Sequence, residues 1–317
     1  MRMIEVKEFG GPEVLVPREA PDPVAEPGQV VVALAAADTM LIETRIRAGQ
    51  ARDFFDTTPP YVPGGGGAGE VIAVGQGVDP AWVGRRVLAS VKNGGYAERV
   101  AVPLDRVLPV PDGLDLNDAA ALLHDGVTAL CVFEGLGLKA GDTVLVVGAT
   151  GGMGVLLVQL ARAEGARVIA AARGELKLEL ARSLGADVVL DYSKPRWADE
   201  IHGRAEVVFD GVGHEIGLAA FAATKDGGTF SAHGAAVSGF AAVDPNEAER
   251  RGITLRGIQD VQLGPDDRMR LLNNALAKAA EGVIKPVIGQ TFPLEQAPDA
   301  HKAIENRTVL AKTLLLP

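Results

Sequence analysis

The segment Thr143-Val-Leu-Val-Val-Gly-Ala-Thr-Gly-Gly-Met-Gly154 passes from a β-branched run through a glycine turn into the apolar stretch Val155–Ala161. A short apolar run followed by glycines and then by helical spacing predicts a buried strand, a sharp turn and a helix start, the opening of a βαβ unit. The glycines fall as Gly148-x-x-Gly151-x-x-Gly154, a variant of the common dinucleotide fingerprint. The spacing is weak alone and strong in this setting. Gly148 makes the turn, the backbone at Gly151 and Gly152 can approach a pyrophosphate, and Gly154 lets helix pack on strand. The N–H groups of the helix start then face the phosphates.

The next strand, Arg167–Ala172, ends in Arg173, where an acidic residue would hold an NAD ribose. A cation there suits a 2′-phosphate, Gly174 leaves room for the ribose, and Lys177 can add a second charge. The expected cofactor is therefore NADPH. Read only as solvated surface charges, Arg173 and Lys177 would carry no such meaning.

With 317 residues the chain has material for two domains, and its 47% apolar content can fill their cores. A formal charge of −10 disfavours nucleic acid and anionic membranes as partners. Cys131 is the one cysteine, which removes intramolecular disulfides and points to a reducing cytoplasm. The first seven residues are charged and lack a signal-peptide core, and no apolar stretch reaches the length of a membrane span. A soluble cytoplasmic protein is expected.

From Met1 to about Leu123 short strands are punctuated by Gly and Pro, over Met3–Lys7, Gln29–Ala37, Ala68–Val74, Arg86–Ser90 and Ala97–Val102, an all-β pattern. From there to Val283 strands alternate with amphipathic helices, which implies a doubly wound parallel sheet. A helix over Asp266–Glu281 is followed by strands over Lys285–Phe292 and Val309–Leu316. The expected division is residues 1–121 with 284–317 as one β-rich domain and residues 122–283 as the α/β domain, with linkers near Asn117–Ala121 and Gly282–Pro286.

Pro63-Gly-Gly-Gly-Gly-Ala-Gly-Glu-Val71, Gly84-Arg-Arg-Val87, Gly94–Val100, the glycine turn, Leu184-Gly-Ala-Asp187, Asp191-Tyr192, Phe209-Asp-Gly-Val-Gly213 and Lys312–Pro317 occur in one order along the chain. Together they resemble the medium-chain dehydrogenase/reductase superfamily, and within it the zinc-independent quinone oxidoreductase branch. The resemblance implies a GroES-like domain built from both chain ends and a Rossmann domain between them. It implies NADPH, with Thr128, Gly148, Thr150, Gly151, Gly152, Met153, Gly154, Arg173, Lys177, Tyr192, Val212 and His233 as cofactor-binding candidates. Tyr192 would lie near the 2′-phosphate, and His233 follows the carboxyl end of the fifth strand, where such sheets bind ligands. A homodimer through Rossmann sheet edges, with Thr254–Ile258 as the edge, is also implied.

No metal is expected. A tetrahedral zinc needs about four N, S or O donors, whereas Gly64-Gly-Gly66 stands in place of the branch signature that supplies His and Glu. Without zinc, a substrate oxygen must be stabilised by hydrogen bonds. Relatives carry Asn and Tyr in the nicotinamide pocket where this chain has Met40 and Arg45. Arg45 is a candidate for orienting substrate, equally readable as a surface arginine on a short helix. His124, beside Asp125, is a candidate proton donor or a loop-capping residue. His202, His214 and His301 are read as peripheral. Phe54, Phe55 and Tyr61 would line an aromatic pocket, and Ala235–Asn246 could form another wall. The expected activity is hydride transfer to a quinone or an α,β-unsaturated carbonyl. An enoyl-thioester reductase and a non-catalytic NADPH-binding sensor or structural protein are the alternatives.

Overall fold

The structure, a computed structural model, describes residues 1–236 and 239–317, so part of the candidate wall Ala235–Asn246 lies outside the described residues. The chain divides into two compact units: Met1–His124 with Leu272–Ala280 and Pro286–Pro317, and Asp125–Leu271 with Glu281–Lys285.

The first unit opens with β1 (Arg2–Val6), β2 (Leu15–Glu19), β3 (Gln29–Asp38), α1 (Leu41–Arg47), β4 (Gly66–Val74), β5 (Arg86–Ser90), β6 (Arg99–Pro103), β7 (Val107–Pro109) and α2 (Leu116–Leu122). Two of these elements depart from the all-β expectation. The α2 helix replaces the expected linker at Asn117–Ala121: the Asp115 carboxylate accepts from Asn117 N at 2.7 Å, and the alanines behind this cap suit a buried helix. In α1, Glu43 reaches back to Met40 N at 2.9 Å and closes the first turn.

The second unit contains α3 (Asp125–Phe133), β8 (Thr143–Val147), α4 (Gly152–Ala163), β9 (Arg167–Ala172), α5 (Glu175–Ser183), β10 (Val188–Asp191), β11 (Ala205–Asp210), α6 (His214–Ala223), β12 (Thr224–Ala232), α7 (Pro245–Arg250), β13 (Thr254–Gly257) and the first turns of α8 (Pro265–Ala280). Its six-stranded sheet has the order β10-β9-β8-β11-β12-β13, with all pairs parallel. Strand order reverses between β8 and β11, the place where doubly wound sheets bind ligands. Val144, Leu145 and Val146 are almost wholly buried, at about 1.5–3 kcal/mol of apolar transfer each. The expected alternation of strand and helix is present except between β10 and β11, where a single 3-10 turn, Asp199–Ile201, stands in place of a helix.

The chain then returns to the first unit as β14 (Ile288–Pro293), α9 (Ala297–Glu305) and β15 (Lys312–Leu316). Both terminal strands start about three residues later than their sequence suggested. In the first unit's main sheet β15 joins β14 to β3, giving the order β14-β15-β3-β4-β5-β7, with β6 also on β3. The antiparallel pairing sets Leu314 opposite Asp38 and Leu315 opposite Ala37. This closure carries the last residues of the chain to the end of its third strand.

Candidate functional site

The register of the parallel sheet aligns three strand ends. Val147 of β8 lies opposite Asp210 of β11, which in turn lies opposite Ala232 of β12. The residues that follow, Gly148, Gly211 and His233, therefore leave the sheet on one edge. Gly148 has φ +77°, in the left-handed region that favours glycine. A Cβ on Gly154 would sit 2.2 Å from Gly148 O and 2.8 Å from Ala149 C, so only glycine allows α4 to come this close to the turn. The first i to i−4 bond of α4 runs from Val155 N to Gly151 O at 3.0 Å. The amides of Gly152, Met153 and Gly154 precede it and are directed out of the helix start, the geometry that receives a phosphate. A pyrophosphate fits this cradle. Buried Thr150 lies within the turn, and Val212 touches it, its Cγ2 being 3.2 Å from where a Gly148 Cβ would stand.

Two more groups mark the same edge. Asp210 is buried, and its Oδ1 accepts from the amides of Val212 and Gly213 at 2.9 Å each. Burial raises its pKa, and these two bonds offset only part of the rise. The carboxylate shapes the turn after β11. His233 is also buried; its Nδ1 faces Ser231 Oγ at 3.3 Å, and burial lowers its pKa to about 4. It is neutral at pH 7 and can serve as a polar contact but not as a cation.

At the β9 tip Arg173 is exposed, and its guanidinium lies 5.9 Å from the centre of the Tyr192 ring. Gly174, φ +78°, N-caps α5, which carries Lys177 in its first turn. Nearby Asp191 is tied into the loop through Oδ1, which accepts from Ser193 Oγ at 2.6 Å, Ser193 N at 3.0 Å and Gly174 N at 3.3 Å. These bonds, the Ser193 hydroxyl foremost, hold its pKa below the usual carboxylate range.

The first unit holds a second constellation, made of side chains. Asp38 ends β3 at 1% exposure. Its Oδ1 forms an ion pair with Lys312 Nζ, and its Oδ2 lies 2.5 Å from His124 Nδ1. Burial pushes Asp38 upward, but Lys312 and His124 outweigh it and hold the carboxyl below its ordinary value. Next to it, Glu43 Oε2 accepts from Tyr96 Oη at 2.7 Å, and Tyr96 Oη lies 2.9 Å from His301 Nε2. Burial pushes Glu43 up to about 7 despite the Tyr96 bond, and lowers His301 to about 3. Arg47, 1% exposed, pairs through Nη2 with Glu305.

Residues 26–112 match the family of alcohol dehydrogenase GroES-like domains, and residues 152–273 match that of zinc-binding dehydrogenases. A quinone oxidoreductase of Mus musculus is 32% identical over 96% of this chain and 94% of its own. The chain belongs to the quinone oxidoreductase branch of the medium-chain dehydrogenase/reductase superfamily. A 2-haloacrylate reductase of a Burkholderia species is 33% identical over 98% of both chains. A mycobacterial protein solved in complex with NADPH superposes with a TM-score of 0.89 at 32% identity, each chain covered completely. This quinone oxidoreductase relative is thus an oxidoreductase with a GroES-like and a Rossmann domain.

Within that frame the structure gathers Gly148, Thr150, Gly151, Gly152, Met153, Gly154, Val212 and His233 around one turn, and Arg173, Lys177 and Tyr192 around the next strand tip. Thr128 stands half-exposed on α3. Met40 and Arg45 are half-buried at the start and middle of α1. His124 Nδ1 faces Asp38 Oδ2, while its sequence neighbour Asp125 opens α3. Two expectations are corrected. His301 is not peripheral: it is fully buried, and α9 delivers it to Tyr96. Phe54 is 85% exposed and lines no wall; a shallow cleft beside its loop is formed by Phe9, Arg52, Phe55, Asp56, Thr57 and Thr58. The Tyr61 ring packs on the core instead, with its hydroxyl buried.

Sequence reasoning missed Asp38, Glu43, Tyr96 and Lys312. The one usable signal was a set of ionisable residues inside apolar strand patterns, such as Asp38 after Val30–Ala37. Among the described residues, no group of three or more His, Cys, Asp or Glu is placed to hold a metal ion, and no helix is long and apolar enough to cross a membrane. Cys131 is buried on α3, with Sγ 3.4 Å from Asp260 O.

Proposed function

We propose that the protein is a zinc-free, NADPH-dependent reductase that transfers hydride to a quinone or to an α,β-unsaturated carbonyl. The observation that carries this reading is the phosphate-receiving turn at Gly148–Gly154 combined with Arg173 at the tip of the next strand. The mycobacterial neighbour's NADPH complex and the names of the mouse and Burkholderia relatives support the cofactor and the acceptor class.

In this reading the α4 amides hold the pyrophosphate, Arg173 with Lys177 and Tyr192 selects the 2′-phosphate, and Thr128, Val212 and His233 contact the rest of the nucleotide. Bound NADPH supplies the hydride from its nicotinamide. Met40 is assigned to the acceptor pocket, Arg45 to orienting the acceptor oxygen as a permanent cation, and His124 to proton transfer. The GroES-like domain comprises residues 1–121 and 284–317 and the Rossmann domain residues 122–283. A homodimer would form through β13, the last strand of its sheet, where Leu255 is 41% exposed and Ile258, just past the strand, 38%. One cysteine in the chain suits the reducing cytoplasm, the compartment assigned here.

The test is NADPH oxidation against a panel of quinones and enones, with NADH in parallel and a chelator present. Turnover with NADPH that survives the chelator is expected. Saturable NADPH binding without turnover on any acceptor would leave a nucleotide-binding protein and sink the enzyme reading.

A further inference from the structure

We infer that His124 is the acid that gives the reduced acceptor its proton, and that Asp38 and Lys312 are the positioning residues that make it one. The inference rests on the reductase reading above and deepens it.

A carboxylate at 1% exposure must be paired to be tolerated, and Lys312 on Oδ1 already neutralises Asp38. The second basic group on Oδ2 is surplus to that requirement. Its geometry has a chemical consequence. A nitrogen 2.5 Å from a carboxylate oxygen carries a proton, so His124 Nδ1 is the donor and Nε2 alternates between lone pair and N–H. Among the described residues Nε2 makes no hydrogen bond, and the side chain keeps 20% of its surface exposed, enough for solvent to return a proton. The Cε1–Nε2 edge faces Gly65, and only glycine leaves it room: a Cβ there would stand 2.3 Å from Cε1 and 2.6 Å from Nε2. Any side chain at Gly65 would displace the ring.

Lys312 holds the other side of the carboxylate: with its ammonium on Oδ1, Asp38 is fixed with Oδ2 turned to His124 Nδ1. Among the described residues, Glu43 of α1 interacts with both Asp38 and His124, and Tyr96 with both Glu43 and Asp38.

The proton balance is simple. The acceptor gains a hydride from the reduced nicotinamide, forming one new bond to hydrogen, and the displaced π pair moves onto the acceptor as an oxyanion or enolate. The His124 Nε2–H bond breaks as the proton bonds to that anion. Water then reprotonates the neutral imidazole, so each turnover consumes one proton and one NADPH.

The experiment compares wild type with His124→Gln, Asp38→Asn and the double variant Asp38→Asn/Lys312→Met, which removes both buried charges together in case the single change fails to fold. The readouts are kcat against pH, NADPH affinity by fluorescence, and the ¹⁵N tautomer signature of His124 in the unliganded protein. Expected are a drop in kcat of at least about tenfold for His124→Gln, within the range of general acid catalysis, at unchanged NADPH affinity. Asp38→Asn should lower kcat and release the fixed Nδ1–H tautomer. Wild-type kcat and pH profile in His124→Gln would overturn the acid, and an unmoved tautomer in both Asp38 variants would overturn the positioning role. No turnover by wild type with any acceptor would instead defeat the reductase reading itself.

Discussion

The two polar centres of this protein are built in opposite ways. The turn at Gly148–Gly154 is made of backbone: its groups are amides, and its side chains matter mainly by being absent. The cluster around Asp38 is made of side chains that arrive from β3, α1, α2's end, α9 and β15. Its strands are tied together across the length of the chain, as in the Thr39 Oγ1 to Thr313 O bond of 2.7 Å between residues 274 positions apart. A backbone site needs a contiguous segment and writes itself into local sequence. A side-chain site needs only topology, which leaves no local trace.

The largest contrast should come from Gly154→Ala. Its Cβ would meet Gly148 O at 2.2 Å, backbone against backbone, so α4 must move from the turn. NADPH affinity should fall at least about a hundredfold, with a stability loss of roughly 1–3 kcal/mol. Calorimetric titration alongside urea unfolding checks both; unchanged affinity would break the backbone account.

Opposite pH responses in the two units sharpen the comparison. Glu43, raised from 4.5 to about 7, keeps a proton in the fold that the unfolded chain has released. Its contribution is full below pH 4.5 and is lost as pH rises to about 7, a swing of roughly 3 kcal/mol. His233, lowered from 6.5 to about 4, runs the other way: its contribution is present above pH 6.5 and is lost as pH falls toward 4. In urea unfolding across this range, Glu43→Gln should remove the loss on the alkaline side and His233→Asn the loss on the acid side. Parallel curves for wild type and both variants would contradict these assignments.

Arg173→Ala should cost roughly 1.5–3 kcal/mol of NADPH binding, the usual worth of a charge-assisted bond, and leave NADH binding nearly unchanged. The ratio of the two KM values reports it directly. The smallest effect belongs to Phe54→Ala: at 85% exposure it should change stability by less than about 0.5 kcal/mol. A change in acceptor KM in that variant would restore Phe54 to the acceptor pocket.

Legibility follows the same division. Strand, turn and helix around Gly148 could be read because burial on both sheet faces leaves a continuous apolar run, and the sheet edge then fixed where Arg173, Val212 and His233 emerge. In the first unit most strands were readable, but α2 was not, since it is only 7 residues long and its Asp115 cap is lost in the loop Pro111-Asp-Gly-Leu-Asp115. His124 was noticed for its chemistry, but its partner Asp38, 86 residues away in sequence, was not. Lys312 lay inside an ordinary final strand, Val309–Leu316, and His301 was read as peripheral. Only the closure of β15 on β3 and the packing of α9 on α1 bring them inside.

The most direct test of this division measures NADPH affinity and turnover together in His124→Gln. If the nucleotide is held by backbone and the chemistry by side chains, affinity stays at the wild-type value while kcat falls at least about tenfold. Loss of affinity in step with turnover, or no loss of either, would contradict the account.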